Sequence, residues 1–174
     1  MKKKTEGEKE KLIGVMEIAK SNELMGLGNY LKFARETKNT AAKNMFVILA
    51  NDELDHFNLI EHERRALMTN ARIKPVKVDT SLIAKLFPKL SDVKRGPQSE
   101  TTDMDALKIA LKLEENSRNF YKNEAERTTN AVIKQLFLKL AQIEDGHYKL
   151  IQAEIDSISS SGFWMDVPEF TMEE

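Results

Sequence analysis

Apolar residues recur along this chain at steps of three and four. Leu12, Met16, Ala19, Glu23, Gly26, Tyr30 and Phe33 form one such stripe, with a single carboxylate in its middle. Residues so spaced share one face of an α-helix, and the spacing predicts a helix over about 8–37. A second stripe, Ala42, Met45, Phe46, Leu49, Glu53, His56, Ile60 and Leu67, predicts a helix over about 39–70. A third, Leu107, Ala110, Glu114, Ser117, Tyr121 and Ala125, predicts one over about 103–127. Ile133, Leu136, Phe137, Leu140, Glu144, His147, Ile151 and Ile158 predict the last, over about 129–158. Asn39 and Asn130 stand where the second and fourth helices should open, as short polar capping residues do.

The turns between the paired helices are short, so each pair is an antiparallel hairpin. Between the pairs lies a connector over about 71–102, with Pro75, Pro88, Gly96 and Pro97 and a short apolar segment, SLIAKLF, expected to form a small helix. A connector of that length can cross the whole bundle. The expected fold is an all-α four-helix bundle of two hairpins with a long crossover, occupying 1–160. The alternative is a plain up-down-up-down bundle with a long loop. The segment 161–174, containing GFWMDVPEF, concentrates Phe163, Trp164, Val167 and Phe170 after a serine run. It is expected to dock on the bundle or on a second subunit.

Composition narrows the function classes. The formal net charge is −1, so no overall basic character points to nucleic acid. There is no Cys, which removes disulfides, thiolate metal sites and thiol catalysis. The basic start, MKKK, gives way at once to glutamates, and the apolar stretch LIGVMEIA is short and interrupted by Glu17, so no secretory signal is expected. No run approaches the roughly 20 apolar residues of a membrane span. A cytoplasmic protein that contacts neither membrane nor nucleic acid is the expectation.

The chemistry lies in a repeat. A shift of 91 residues places Tyr30 on Tyr121, Asn39 on Asn130, Phe46 on Phe137, Leu49 on Leu140 and Ile60 on Ile151. The same shift places Glu23 on Glu114, Glu53 on Glu144 and His56 on His147. ELDH and EDGH are thus both Glu-x-x-His, and two of the three histidines in the chain share one register. Each motif aims a carboxylate and an imidazole at one spot, and each half adds a glutamate from its other helix. One Glu from each of two helices, with Glu-x-x-His from each of the other two, is the ligand set of a di-iron or di-manganese carboxylate centre. Two cations also resolve a cost: burying a carboxylate or imidazole alone on a core-facing stripe takes several kcal/mol. A single Glu-x-x-His would be weak evidence, since both residues are common on solvated helix faces. His62 is expected on the surface, with a secondary metal contact as the alternative; Glu63 and Glu154 are expected as polar residues near the bundle end, with an iron entry path as the alternative; and Glu17 and Glu115 are expected as solvated partners.

At these residues, in the segments LEENSRNFYKNEAE and LAQIEDGHYKLI, the chain resembles the ferritin-like superfamily and most closely the rubrerythrin-type proteins. The resemblance covers the four helices and implies that Glu23, Glu53, His56, Glu114, Glu144 and His147 are the metal ligands, with Glu53 and Glu144 bridging two metals. It implies two iron ions per chain, with manganese possible, and no catalytic residue apart from the ligands. Two departures stand out. The rubredoxin-type iron centre of rubrerythrins needs cysteines that this chain lacks. A further glutamate usual one turn after the third-helix ligand is here Ser117, whose repeat mate Gly26 is also small. These small residues either leave an open position beside the metals or permit close packing. Tyr30 and Tyr121 lie on the ligand faces, where each can bond a ligand carboxylate.

The function so implied is reduction of hydrogen peroxide or dioxygen at a carboxylate-bridged di-iron centre, with electrons from an external donor such as a rubredoxin or a flavoprotein. The alternatives are an iron-binding or ferroxidase role in iron handling, and a di-manganese or structural metal site without turnover. A homodimer is the expected assembly.

Overall fold

The computed structural model describes residues 2–69 and 103–165. All the regular structure among them is helical: α1 (Lys2–Glu36), α2 (Thr40–Met68), α3 (Asp103–Arg127) and α4 (Ala131–Ser161). The expected helix SLIAKLF and the last nine residues of the tail lie outside the described residues.

The two hairpin turns are built alike. Asn39 accepts from the Ala42 N–H and Asn130 from the Ile133 N–H, each at 3.1 Å. The backbone N–H of each asparagine donates in turn to a threonine hydroxyl two residues earlier, Thr37 or Thr128, at 3.2 Å. Each asparagine sits in extended backbone and satisfies a donor that the first helical turn leaves open.

Two helices overrun their expected limits. α1 begins at Lys2 rather than near residue 8, because its Lys- and Glu-rich start favours helix without any apolar stripe to mark it. α4 runs through the serines to Ser161. Ser160 and Ser161 donate back to the carbonyls of Asp156 and Ser157, each at 2.8 Å, which lets the serines continue the helix. Gly162, at φ 78°, ends it in the left-handed conformation that glycine adopts without penalty.

α1 packs chiefly on α2 and α3 on α4, with α1 also against α3 and α2 against α4. Two apolar cores fill the bundle, one at each end. The first gathers Tyr30, Phe33, Met45, Phe46 and Leu49 with Leu107, Ala110 and Ile151. The second gathers Met16, Ala19 and Ile60 with Tyr121, Ile133, Phe137 and Leu140. The start of α3 therefore lies beside the α1–α2 turn, and the far end of α2 lies beside the α3–α4 turn. α2 and α3 run parallel, so Met68 and Asp103 fall at opposite ends of the bundle. That polarity is the crossover arrangement and rules out up-down-up-down. At the tail's start, Trp164 packs edge-on against Phe46, with ring centroids 6.3 Å apart. Met165 donates its N–H to Glu154 at 3.1 Å. Among the described residues, no helix is long and apolar enough to cross a membrane.

Candidate metal centre

Between the two apolar cores the bundle turns polar. Glu23 comes from α1, Glu53 and His56 from α2, Glu114 from α3, and Glu144 and His147 from α4. All six are at most 5% exposed. They resolve into two overlapping groups, Glu23, Glu53, His56 and Glu144, and Glu53, Glu114, Glu144 and His147, with one ligand-type atom per residue within 4.8 Å of the others. Glu53 and Glu144 belong to both groups. The imidazoles lie nearly parallel, their centroids 5.7 Å apart.

Both histidines present Nδ1 to the carboxylates. His56 Nδ1 lies 3.0 Å from Glu23 and 3.5 Å from Glu144. His147 Nδ1 lies 3.7 Å from Glu114 and 3.5 Å from Glu144. The tyrosines tie the hairpins together from either side: Tyr30 donates to Glu114 Oε1 and Tyr121 to Glu23 Oε1. Both phenols are fully buried, and burial and the nearby carboxylates raise their pKa well above the ordinary value. They remain proton donors throughout the physiological range.

The space that Gly26 leaves is taken by the Glu53 carboxylate. A Cβ at this position would lie 2.8 Å from Glu53 Cδ and 3.1 Å from both oxygens. Ser117, on the matching face of α3, is half-buried. His62 is exposed on the outside of α2. Glu17 pairs with Arg64 at 3.0 Å and Glu115 with Lys112 at 2.5 Å. Glu154, expected as a polar residue near the bundle end, is buried at 1% exposure and accepts from the start of the tail.

One residue of the site has no counterpart in the repeat. Asp52, half-buried on α2, places Oδ2 3.1 Å from His147 Nε2.

The electrostatics are those of too much negative charge in too little space. Burial, with Glu23, Glu144 and Glu114 close by, raises Glu53 well above the usual carboxylate range. Burial and Glu144 raise Glu114 to about 8. Burial would also raise Glu144, but contacts with Glu114 and both imidazoles outweigh it and hold Glu144 low. Burial disfavours a charged His56, yet Glu144 and Glu23 prevail and raise it to about 10. His147 moves the same way, with Asp52, Glu114 and Glu144 opposing burial. Even so, Glu114 Oε2, both oxygens of Glu144 and His147 Nδ1 are buried without a hydrogen-bond partner. Buried acceptors left unmatched cost about 1–3 kcal/mol each. Cations among these atoms would satisfy them together, and carboxylate oxygen with imidazole nitrogen suits iron or manganese. The residues therefore fit a metal pair.

A family model described as rubrerythrin matches residues 14–155. A solved structure of a hypothetical protein from Pyrococcus furiosus is similar in fold, with a TM-score of 0.66 and 24% identity, over 85% of this chain and 90% of that one. No curated protein matches the chain in sequence.

Proposed function

The chain belongs to the rubrerythrin family, and from that premise we propose that it is a non-haem di-iron protein that reduces hydrogen peroxide or dioxygen with electrons from an external donor. The observation that carries this reading is the pair of overlapping ligand groups sharing Glu53 and Glu144. Two positions joined by two carboxylates are what a bridged metal pair requires. Four carboxylates also balance the charge of two divalent ions. Bound there, two ferrous ions would supply the two electrons that one peroxide consumes.

The remaining work falls to side chains of this protein. Tyr30 and Tyr121 hold the two unshared glutamates, Glu114 and Glu23, in fixed orientation. The apolar cores above and below keep bulk water from the cluster and leave the carboxylates in a medium where charge matters most. With no Cys, the chain has no thiolate-bound iron or dithiol from which to draw further electrons. The donor in this reading lies outside the bundle: a rubredoxin, a flavoprotein or a centre of similar potential.

The test is stopped-flow mixing of anaerobic, ferrous-loaded protein with hydrogen peroxide. The expected result is one fast oxidation consuming roughly one equivalent per metal pair, with sustained turnover only when a donor is added. Glu53→Ala and Glu144→Ala should each abolish the fast phase. Oxidation no faster than that of free ferrous iron, and indifferent to both substitutions, would overturn the reading in favour of iron binding or handling.

A further inference from the structure

The repeat makes the two halves of the centre near copies, so a difference between them is informative. On one side, His147 Nε2 faces Asp52 Oδ2 at 3.1 Å. A carboxylate oxygen only accepts, so Nε2 carries a ring hydrogen and Nδ1 is the nitrogen left to take a cation. Nδ1 points at the cluster, buried and without a hydrogen-bond partner. The ring's orientation, and the nitrogen that would meet a cation, are thus set before one arrives.

On the other side, the repeat mate of Asp52 is Ile143, which accepts nothing. Among the described residues, the polar contacts of His56 all run through Nδ1, to Glu23, Glu53 and Glu144. The matched contacts differ as well. His56 Nδ1 lies 3.0 Å from Glu23, a hydrogen bond in which the ring donates, whereas His147 Nδ1 stands 3.7 Å from Glu114. A cation at His56 Nδ1 would displace that bond to Glu23, and no such bond stands at His147 Nδ1.

We propose that Asp52 is a positioning residue that makes the two metal positions unequal: the position of Glu53, Glu114, Glu144 and His147 binds first and more tightly, and that of Glu23, Glu53, His56 and Glu144 binds second and exchanges more readily. The inference rests on the two-metal reading of the site and adds an order of filling to it.

The experiment is anaerobic titration of the full metal-free chain with Co2+, followed by calorimetry and by the visible absorption of the bound ion. The wild type should fill in two resolved steps. Asp52→Ala should weaken the first step about 10–100-fold and leave the second in place, as the loss of a carboxylate behind a ligand histidine does. Asp52→Asn, whose amide oxygen still accepts from Nε2, should restore most of the first step. In a His147→Ala background, Asp52→Ala should have no further effect. Ile143→Asp should tighten the second step. Asp52 is half-exposed on the helix surface, so the metal-free Asp52→Ala protein should keep the wild-type helix content by circular dichroism; a merely structural role would lower it.

Two ions bound with indistinguishable affinity would overturn the inequality alone. So would Asp52→Ala weakening both steps alike or neither, or Asp52→Asn behaving as Asp52→Ala. No Co2+ uptake by the wild type, or undiminished uptake by the His56→Ala/His147→Ala protein, would overturn the two-metal reading and this inference with it.

Discussion

Tyr30 of the first hairpin donates its hydroxyl to Glu114 of the second, and both are fully enclosed by the bundle. The bond is one of a pair, matched across the repeat by Tyr121 and Glu23. Tyr30→Phe keeps the ring and its stacking on Phe46 (centroids 6.2 Å apart) but leaves a buried carboxylate oxygen without its donor. The expected cost is about 1–3 kcal/mol, and the same for Tyr121→Phe. Urea denaturation of the metal-free proteins measures it. Midpoints equal to the wild type would show that these bonds hold nothing together.

The pH dependence of the metal-free protein follows from the raised groups. Folding moves Glu114 from 4.5 up to about 8, and Glu53 in the same direction. Their contribution is complete below the unfolded value and is lost as pH rises through the folded one. His56, raised from 6.5 to about 10, and His147, also raised, extend the loss into the alkaline range. Glu144, moved downward, contributes in the opposite sense, but only in stronger acid. The metal-free protein should therefore melt at a higher temperature near pH ~5 than near pH ~8. Metal loading demands deprotonated ligands, so the gain in melting temperature on adding Mn2+ or Fe2+ should grow over the same range. Thermal melts across that window, with and without metal, check both trends.

Gly26 and Gly28 form a natural contrast. A Cβ at Gly28 meets nothing within 4 Å, so Gly28→Ala should gain up to about 1 kcal/mol from helix propensity. At Gly26 the same atom runs into the Glu53 carboxylate. Crowding of that kind costs about 1–3 kcal/mol, enough to cancel the gain or reverse it. Gly26→Ala should also displace Glu53 and lower metal occupancy, which Gly28→Ala should leave intact. Denaturation midpoints and metal analysis of the two variants separate these effects.

The ligand assignment itself is open to a count. Wild-type protein should retain two metal ions per chain after dialysis. His56→Ala and His147→Ala should each lower that occupancy, since each removes a nitrogen donor that no neighbour replaces. A double variant that still holds two ions would show that the cluster is not what binds them.

The bundle and the six-residue cluster were both legible because they are periodic. Glu53 and His56 interrupt an apolar stripe one turn apart, and Glu144 and His147 do so again in register. Periodicity did not carry the features that break it. Neither the period nor the repeat marks Asp52, since its mate is Ile143 and it stands beside the ligand stripe rather than on it. Glu154 becomes buried only when the backbone of Met165 reaches it, a contact between residues whose spacing follows no helical face. The start of α1 lacks an apolar stripe, and the serines ending α4 look like a link until their hydroxyls are seen bonding back along the helix. The small residue at position 26 was visible, but which neighbour used its space depended on how α1 and α2 pack.

Each of the two ligand groups draws residues from both hairpins: one takes Glu144 across to Glu23, Glu53 and His56, the other takes Glu53 across to Glu114, Glu144 and His147. Neither hairpin, folded alone, holds a complete position. An ion that meets the chain during folding would find only fragments of its site until the two halves have closed on each other. Loading would then come last in the order of assembly, and the rate at which metal enters an unfolded-and-diluted chain would report the docking of the halves rather than the formation of the helices. Once in place, each ion would act as a crosslink between segments far apart in sequence. Metal would thus add to the two tyrosine bonds and the shared apolar cores that join the halves, and a chain cut between them should hold more firmly as one body when metal is bound.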